Sequence, residues 1–353
     1  MNETNERNTM SKLKIKAATA AATVALAAFS ATPTQADGVA DFYKDRTMTI
    51  LVGFGAGGGY GLYGQTLGQH LGRHIPGKPN IIMQFMPGAG GNKAANYFYT
   101  VAPRNGAVLA HLSNSAALQQ VLQPERIRYD MSKLSYLGRM VSMRSSIIVW
   151  HTSPATSLAA FKKNTLIFGA TGRAGQDYMN PTLLKNVLGF KVKIVTGYKG
   201  SRSINNAMEK GEVHAMANSW GSVKARLGQW LDKKQIVPLA MVGLTPSPDR
   251  PDIPLVLDMA KTKADRELLE LMASTTAVGR AFSTPPKVPS ERVAALRAAF
   301  DKTMKDPKFL ADIKKRHMEL EYMSGADVQK IINKTIATPK ELVARFKKAV
   351  EMK

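Results

Sequence analysis

Two stretches of this chain hold the residue types that bind anions through backbone N–H groups. The first, Thr47 to Leu71, reads T-M-T-I-L-V-G-F-G-A-G-G-G-Y-G-L-Y-G-Q-T-L-G-Q-H-L. A β-branched, apolar run gives way to five glycines between Gly53 and Gly59, and then to helical spacing at Tyr63, Leu67 and Leu71. A helix N-terminus has unpaired N–H groups and partial positive charge, and glycine lets a ligand come close to them. The second stretch repeats this grammar: N-I-I-M-Q-F (80–85), then M-P-G-A-G-G-N-K (86–93), then a helix over Asn96 to Val101. From Arg46 through Pro124 there is no aspartate or glutamate, while Arg73, Lys78, Lys93 and Arg104 lie in the same span. A region without carboxylates favours holding an anion over acting on it.

Other chemistries fit less well. Gly53-Phe54-Gly55-Ala56-Gly57-Gly58 matches G-x-G-x-x-G, but the acid needed about 20 residues on for a ribose is missing. No Gly-Lys-Ser/Thr follows, which excludes a Walker loop, and no G-x-S-x-G nucleophile elbow is present. His70 and His74 have an i, i+4 metal-like spacing, yet no cysteine or nearby carboxylate completes a ligand set. We therefore expect no metal, no cofactor and no catalytic residues.

These loops need a scaffold. A third strand, Ala107 to Leu112, leads into Ser113-Asn114-Ser115 and a short helix. Strand–loop–helix repeats of this length imply a parallel sheet, with the loops at the carboxyl ends of its strands lining the ligand crevice. A second α/β unit follows. Its strands are expected at Leu166–Gly169, Val192–Thr196, Glu212–Ala217 and Val237–Val242. Its polar loops are Thr171-Gly172-Arg173-Ala174-Gly175-Gln176, Gly197-Tyr198-Lys199-Gly200 and Asn218-Ser219-Trp220. Ile147–Trp150 and Ala277–Phe282 are the segments suited to cross between the units. The tail reads as helices over Ser290–Asp301, Asp306–His317 and Thr338–Val350, with Asp306-Pro307 and Thr338-Pro339-Lys340-Glu341 as capped starts.

Residues 1–36 read as a secretory leader. Lys12, Lys14 and Lys16 precede a charge-free run, Ala17 to Ala31, that ends in small residues at Thr34-Gln35-Ala36. Removing it leaves 317 residues with 45 Lys/Arg against 24 Asp/Glu, a formal charge of +21. The length suggests two domains. The basic balance raises nucleic-acid binding as a rival, but no basic tract interleaved with aromatics supports it. Without cysteine, a lipobox, disulfides and thiolate chemistry are excluded.

Several blocks together resemble one family. They are F-Y-K-D-R-T (42–47), G-G-G-Y with Leu62-Tyr63, H-I-P-G-K-P (74–79), M-P-G-A-G-G (86–91), A-N-Y-F-Y-T-V-A-P-R-N-G (95–106), G-A-T-G-R (169–173), V-T-G-Y-K-G-S (195–201) and R-P-D-I-P (250–254). In order, over essentially the whole mature chain, they look like the extracytoplasmic solute receptors of tripartite tricarboxylate transporters, the Bug/TctC family. The resemblance implies a type II periplasmic binding protein of class α/β. Two α/β lobes, 37–147 plus 276–353 and 148–275, are joined by two hinge strands with a ligand cleft between them. It implies a periplasmic monomer that captures a small organic acid (mono-, di- or tricarboxylate, aromatic acids included) and hands it to the transporter's membrane subunits. By the family pattern, loops 54–61 and 86–91 hold one carboxylate through backbone groups and waters, with Phe54, Gly57, Gly58, Tyr60, Gly61, Pro87, Gly88, Ala89 and Gly90 as candidates. Ser113 and Asn114 join them from the third strand's loop. Thr171, Gly172, Arg173, Gln176, Tyr198, Asn218, Ser219 and Trp220 are expected to set selectivity from the second lobe. Arg173 is the fixed charge within these loops and could pair with a distal carboxylate. Gly61 departs from the family's usual aspartate, at a position expected to cap the following helix. The rival readings are an exported enzyme acting on an anionic small molecule through the glycine loops, and a nucleic-acid binder.

Overall fold

The computed structural model describes residues 34–352, so all but the last three residues of the expected leader lie outside the described residues. A helix α1 (Thr34–Tyr43) precedes β1 (Thr47–Val52), α2 (Gly59–Leu71), β2 (Asn80–Phe85), α3 (Asn92–Thr100), β3 (Val108–His111), α4 (Ala116–Leu122) and β4 (Ser135–Arg139). The chain then builds β5 (Ser145–Trp150), α5 (Leu158–Lys163), β6 (Leu166–Ala170), α6 (Gln176–Asn186), β7 (Val192–Thr196), α7 (Ser201–Glu209), β8 (Ala215–Ser219), α8 (Trp220–Asp232), β9 (Ile236–Val242) and α9 (Lys263–Ser274). It closes with β10 (Ala281–Thr284), α10 (Ser290–Lys305), α11 (Pro307–Lys315), β11 (Met323–Ser324), α12 (Gly325–Ile336) and α13 (Lys340–Ala349).

Two sheets result, ordered β11-β4-β10-β3-β1-β2 and β7-β6-β8-β5-β9. β1 pairs in parallel with β2 and β3, and β6 in parallel with β7 and β8. Met48, Ile50, Leu51 and Val52 are all fully buried, so β1 is covered on both faces. That is why it reads as an unbroken apolar run rather than an alternating one. One face carries Leu62, Tyr63 and Leu67 of α2 with Phe300 and Phe309; the other carries Phe98, Val328 and Ile332. The second sheet has its own core around Ile147–Trp150, Phe161, Phe168 and Met241.

The lobes are joined where 140–143 and 276–280 run side by side. Met140 N–H donates to Arg280 O (3.0 Å), Arg280 N–H to Val141 O (2.9 Å) and Met143 N–H to Thr276 O (2.9 Å). Gly279, at φ +54°, is the residue this crossing requires, because a Cβ there would meet Val141 O at 2.0 Å. The outgoing crossing differs from the expected one, whereas the returning one falls largely within the expected Ala277–Phe282. Ile147–Trp150 lies in the middle of the second sheet, between β8 and β9, and the returning strand proper begins at Ala281. The terminal helix α13 also sits elsewhere than expected, with Phe346 and Val350 buried in the second lobe's core.

Asp306 caps α11, accepting from Lys308 N and Phe309 N. Thr338 does not cap α13. That helix starts at Lys340 after Pro339, and the Thr338 hydroxyl donates back to Thr335 O at 2.6 Å. β4 escaped the sequence pattern because Gly138 interrupts it; a Cβ there would meet the Phe300 ring at 2.5 Å.

Candidate functional site

The loops at the carboxyl ends of β1, β3, β6 and β8 face one another between the lobes. They enclose a cleft with about 70 Å³ of water-accessible space. The lobes stand closed over it: Gly55 N–H donates to Lys199 O (2.9 Å), and the Ser115 hydroxyl to Ala174 O (2.8 Å).

The first wall is the N-terminus of α2. Gly58 is its N-cap in an extended conformation, without a side-chain cap, so the first-turn N–H groups of the helix are left to the cleft. Tyr60 stands in the first turn, stacked on Phe54 with ring centroids 4.3 Å apart. Its hydroxyl donates to Asn114 Oδ1 and accepts from Asn114 N–H, both at 3.0 Å. Asn114 Nδ2 in turn donates to Thr275 O in the hinge (3.1 Å).

The charge in the cleft comes from Arg280, which the sequence reading did not single out. It leaves the hinge just before β10 and is 1 % exposed. Its guanidinium lies 4.1 Å from the Tyr60 ring centroid, and Nη2 donates to the Ser222 hydroxyl of α8 at 2.8 Å. Among the described residues, Nε and Nη1 have no partner and no carboxylate bonds to the guanidinium. Burial lowers its pKa from the ordinary guanidinium value, but arginine stays charged in proteins. Gly59 makes room for this cation: a Cβ there would meet Ser222 Oγ at 2.0 Å and Arg280 Nη2 at 2.5 Å. The neighbouring His111 adds no charge. Burial first, and Arg280 second, push its pKa down to about 3, and its Nδ1 bonds Ala281 O (3.0 Å).

The second wall is the N-terminus of α6. Asp177 lies in its first turn and lines the cleft. Its Oδ2 accepts from Thr171 N–H (2.8 Å) and its Oδ1 from the Thr171 hydroxyl (3.0 Å). Burial raises its pKa to about 6 against those hydrogen bonds. The glycine-loop cradle before α6 is thus filled by an acid of its own chain.

Of the candidates read from sequence, Phe54, Gly58, Tyr60, Ser113, Asn114, Thr171, Gln176, Asn218 and Ser219 line the cleft. The others do not. Gly57 lies at an outer rim, where a Cβ would meet Arg202 Cδ at 2.3 Å. Pro87, Gly88, Ala89 and Gly90 belong to a loop that closes on the second lobe, since Gly90 and Gly172 abut loops 174–175 and 89–90 so tightly that neither could carry a Cβ. Arg173 is exposed and points away, Nη1 donating to Glu351 O at 3.3 Å. Tyr198 packs against Gly169, and the Trp220 indole donates to Asp249 (3.0 Å). Gly61 is not a helix cap but a first-turn residue, whose Cβ would meet Ala56 O at 2.0 Å. His70 and His74 meet carboxylates from the far end of the chain, Asp312 at 3.1 Å and Asp306 at 2.6 Å. Among the described residues no group of three or more such side chains could hold a metal ion.

Arg280 and Asp177 had signals, though faint ones. Arg280 is a lone cation in an apolar run, V-G-R-A-F, and Asp177 is the acid in the first turn after a glycine loop.

A family model described as "Tripartite tricarboxylate transporter family receptor" matches residues 69–347. A curated relative from Cupriavidus necator, "UPF0065 protein in gbd 5'region", is 24% identical over 340 residues, covering 94% of this chain and 96% of its own. Among solved structures, the periplasmic binding protein BugD is similar with a TM-score of 0.70 at 19% identity, over 87% of this chain and 98% of that one. A protein of R. palustris with adipate has a TM-score of 0.66 at 18% identity, over 87% of this chain and 97% of that one. MatC from Rhodopseudomonas palustris with bound malate has a TM-score of 0.66 at 17% identity, over 84% and 99%.

Proposed function

The chain belongs to the receptor family of tripartite tricarboxylate transporters, and from that premise we propose that it captures a small organic carboxylate between its lobes, returns it unchanged, and presents it to the transporter's membrane subunits. The observation that carries the carboxylate is Arg280. A buried charge without a partner costs several kcal/mol in an effective low dielectric. An anion accepting from Nε and Nη1 removes that cost, and the planar guanidinium fork matches the two oxygens of a carboxylate. The uncapped N-terminus of α2 borders the same space, so helix and guanidinium favour the same sign of charge.

Closure follows from where these groups sit. α2 belongs to the first lobe, Arg280 to the hinge and Ser222 to the second lobe. A carboxylate bound to Arg280 therefore engages the residue on which both lobes converge. The bonds Gly55–Lys199 and Ser115–Ala174 then fasten the rim. The closed pair of lobes is the surface that a membrane subunit would distinguish from the empty, open form. The expected leader supports a periplasmic location, and mass spectrometry of exported protein should find the chain starting near Asp37.

The test is calorimetry of the mature chain against mono-, di- and tricarboxylates, with NMR of the recovered solution. Saturable binding with the acid recovered intact is expected; at 100-fold its Kd, ligand adds ~2.7 kcal/mol of stability. Turnover of the acid, or no binding by any carboxylate, overturns the reading.

A further inference from the structure

The polar groups of the cleft are sorted by type. At the hinge end, Arg280 offers two buried donors, Nε and Nη1, that meet no acceptor. At the α6 end the deficit is the opposite. The Thr275 hydroxyl gives its proton to Met272 O (2.7 Å), so it must accept from Gln176 Nε2 (2.5 Å). That fixes the Gln176 amide with Oε1 turned away, a buried acceptor without a donor. Beside it stands Asp177, whose carboxylate accepts from Thr171 and from backbone N–H groups of the first turn of α6, and whose charge no lysine or arginine among the described residues neutralises. Arg280 lines the cleft from the hinge and Asp177 from the first turn of α6, and the two form no ion pair with each other.

We infer, resting on the receptor reading above, that the ligand carries an ammonium group set apart from its carboxylate, the carboxylate meeting Arg280 and the ammonium meeting Asp177 and Gln176 Oε1. The electrostatics of the closed cleft favour this pairing. The two protein charges cancel, so a zwitterion leaves the enclosed space neutral at both ends. A dicarboxylate places its second negative group against the Asp177 carboxylate, and like charges in a water-poor site repel far more than in bulk water. An unsubstituted monocarboxylate satisfies Arg280 but leaves the Asp177 charge without a counter-charge and Gln176 Oε1 without a donor, and buried groups left unpaired oppose binding. Ammonium has three N–H donors, enough for both acceptors at once.

The experiment is titration calorimetry of the mature chain at pH 7.5 with three series of matched length: ω-amino acids from β-alanine to 6-aminohexanoate, dicarboxylates from malonate to adipate, and monocarboxylates from propionate to hexanoate. One ω-amino acid should bind at least tenfold more tightly than the dicarboxylate and the monocarboxylate of its own length. Asp177→Asn should cancel that preference. The amide can still accept from Thr171 N–H and donate to the Thr171 hydroxyl, so the loop should keep its fold while losing its charge. Gln176→Met, which keeps volume and removes the acceptor, should weaken the ω-amino acid alone. A dicarboxylate that binds wild type as tightly as any ω-amino acid overturns the inference and leaves the carboxylate receptor standing. So does an Asp177→Asn variant with an unchanged ranking. Failure of all three series to bind overturns both readings.

Discussion

Arg280 Nη2 donates to the Ser222 hydroxyl at 2.8 Å, tying a hinge residue to the first turn of α8 in the second lobe. The same guanidinium covers the Tyr60 ring of the first lobe. One buried cation thus touches both lobes and the joint between them.

Removing that cation separates stability from binding. Arg280→Met deletes a buried charge that lacks a partner, so the ligand-free protein should melt no lower than wild type, as replacement of buried ions by apolar side chains often allows. Carboxylate affinity should fall by about a hundredfold, ~2.7 kcal/mol. Arg280→Lys should recover part of the affinity through its charge but not the bidentate geometry. Calorimetry and thermal melts read both quantities. Full affinity in Arg280→Met would remove Arg280 from the site.

Two glycines of α2 should fail in different ways. A Cβ at Gly59 meets Ser222 Oγ and Arg280 Nη2, both side-chain atoms of the cleft, so Gly59→Ala should weaken ligand binding by tenfold or more with a modest change in melting temperature. A Cβ at Gly61 meets backbone instead, the Ala56 oxygen at 2.0 Å and carbon at 2.5 Å. Gly61→Ala and Gly61→Asp should therefore destabilise the fold by about 1–3 kcal/mol, with or without ligand. An undisturbed melting temperature in both Gly61 variants would contradict the packing.

Closure should depend on Gly90. Its φ is +64°, and a Cβ there meets Gly175 N at 2.3 Å across the lobe boundary. Gly90→Ala is expected to hold the lobes apart. Small-angle scattering of wild type should show compaction on adding ligand, through a rigid-body rotation about 140–143 and 276–280; the variant should show little. Equal compaction in both would mean that the 88–91 loop does not limit closure.

Asp177 should leave a pH signature. Its folded pKa, raised by burial to about 6, lies above its unfolded value near 3.8. Such a group loses no stability below the unfolded value and costs stability progressively as pH rises through the folded one. Wild type should therefore gain melting temperature relative to Asp177→Asn as pH falls from 7 towards 4. Taking the difference between the two proteins cancels the opposite trend from Asp249, whose pKa is lowered and which both share. A pH-independent difference would show that Asp177 is not held in a desolvating site.

Arg173 should be silent. It is exposed and bonds Glu351 O near the chain's end, outside the cleft. Arg173→Ala is expected to change affinity for mono- and dicarboxylates less than twofold. A selective loss for dicarboxylates would bring it back into the site.

The strand–glycine–helix grammar of β1 and α2 was legible in sequence because each of its parts is local. Buried strand composition, side-chain-free loop and helical spacing all lie within one stretch, and β1 and β2 form over the residues expected, Thr47–Val52 and Asn80–Phe85. The Asp306 cap was legible for the same reason, as a carboxylate bonds N–H groups two and three residues on. The family blocks carried the two-lobe architecture. Tertiary structure alone decided which glycines face ligand space and which face protein. Gly58 lines the cleft with the Ser201 side chain as its closest neighbour, whereas Gly61 and Gly90 are glycine because backbone presses on them from loops nearby in space. It also decided that the cleft's charge is Arg280 rather than Arg173. A site loop advertises its residues by sequence, but a cation reaching in from a hinge strand is placed only when the first sheet takes the returning chain between β3 and β4 and the second lobe folds down against it.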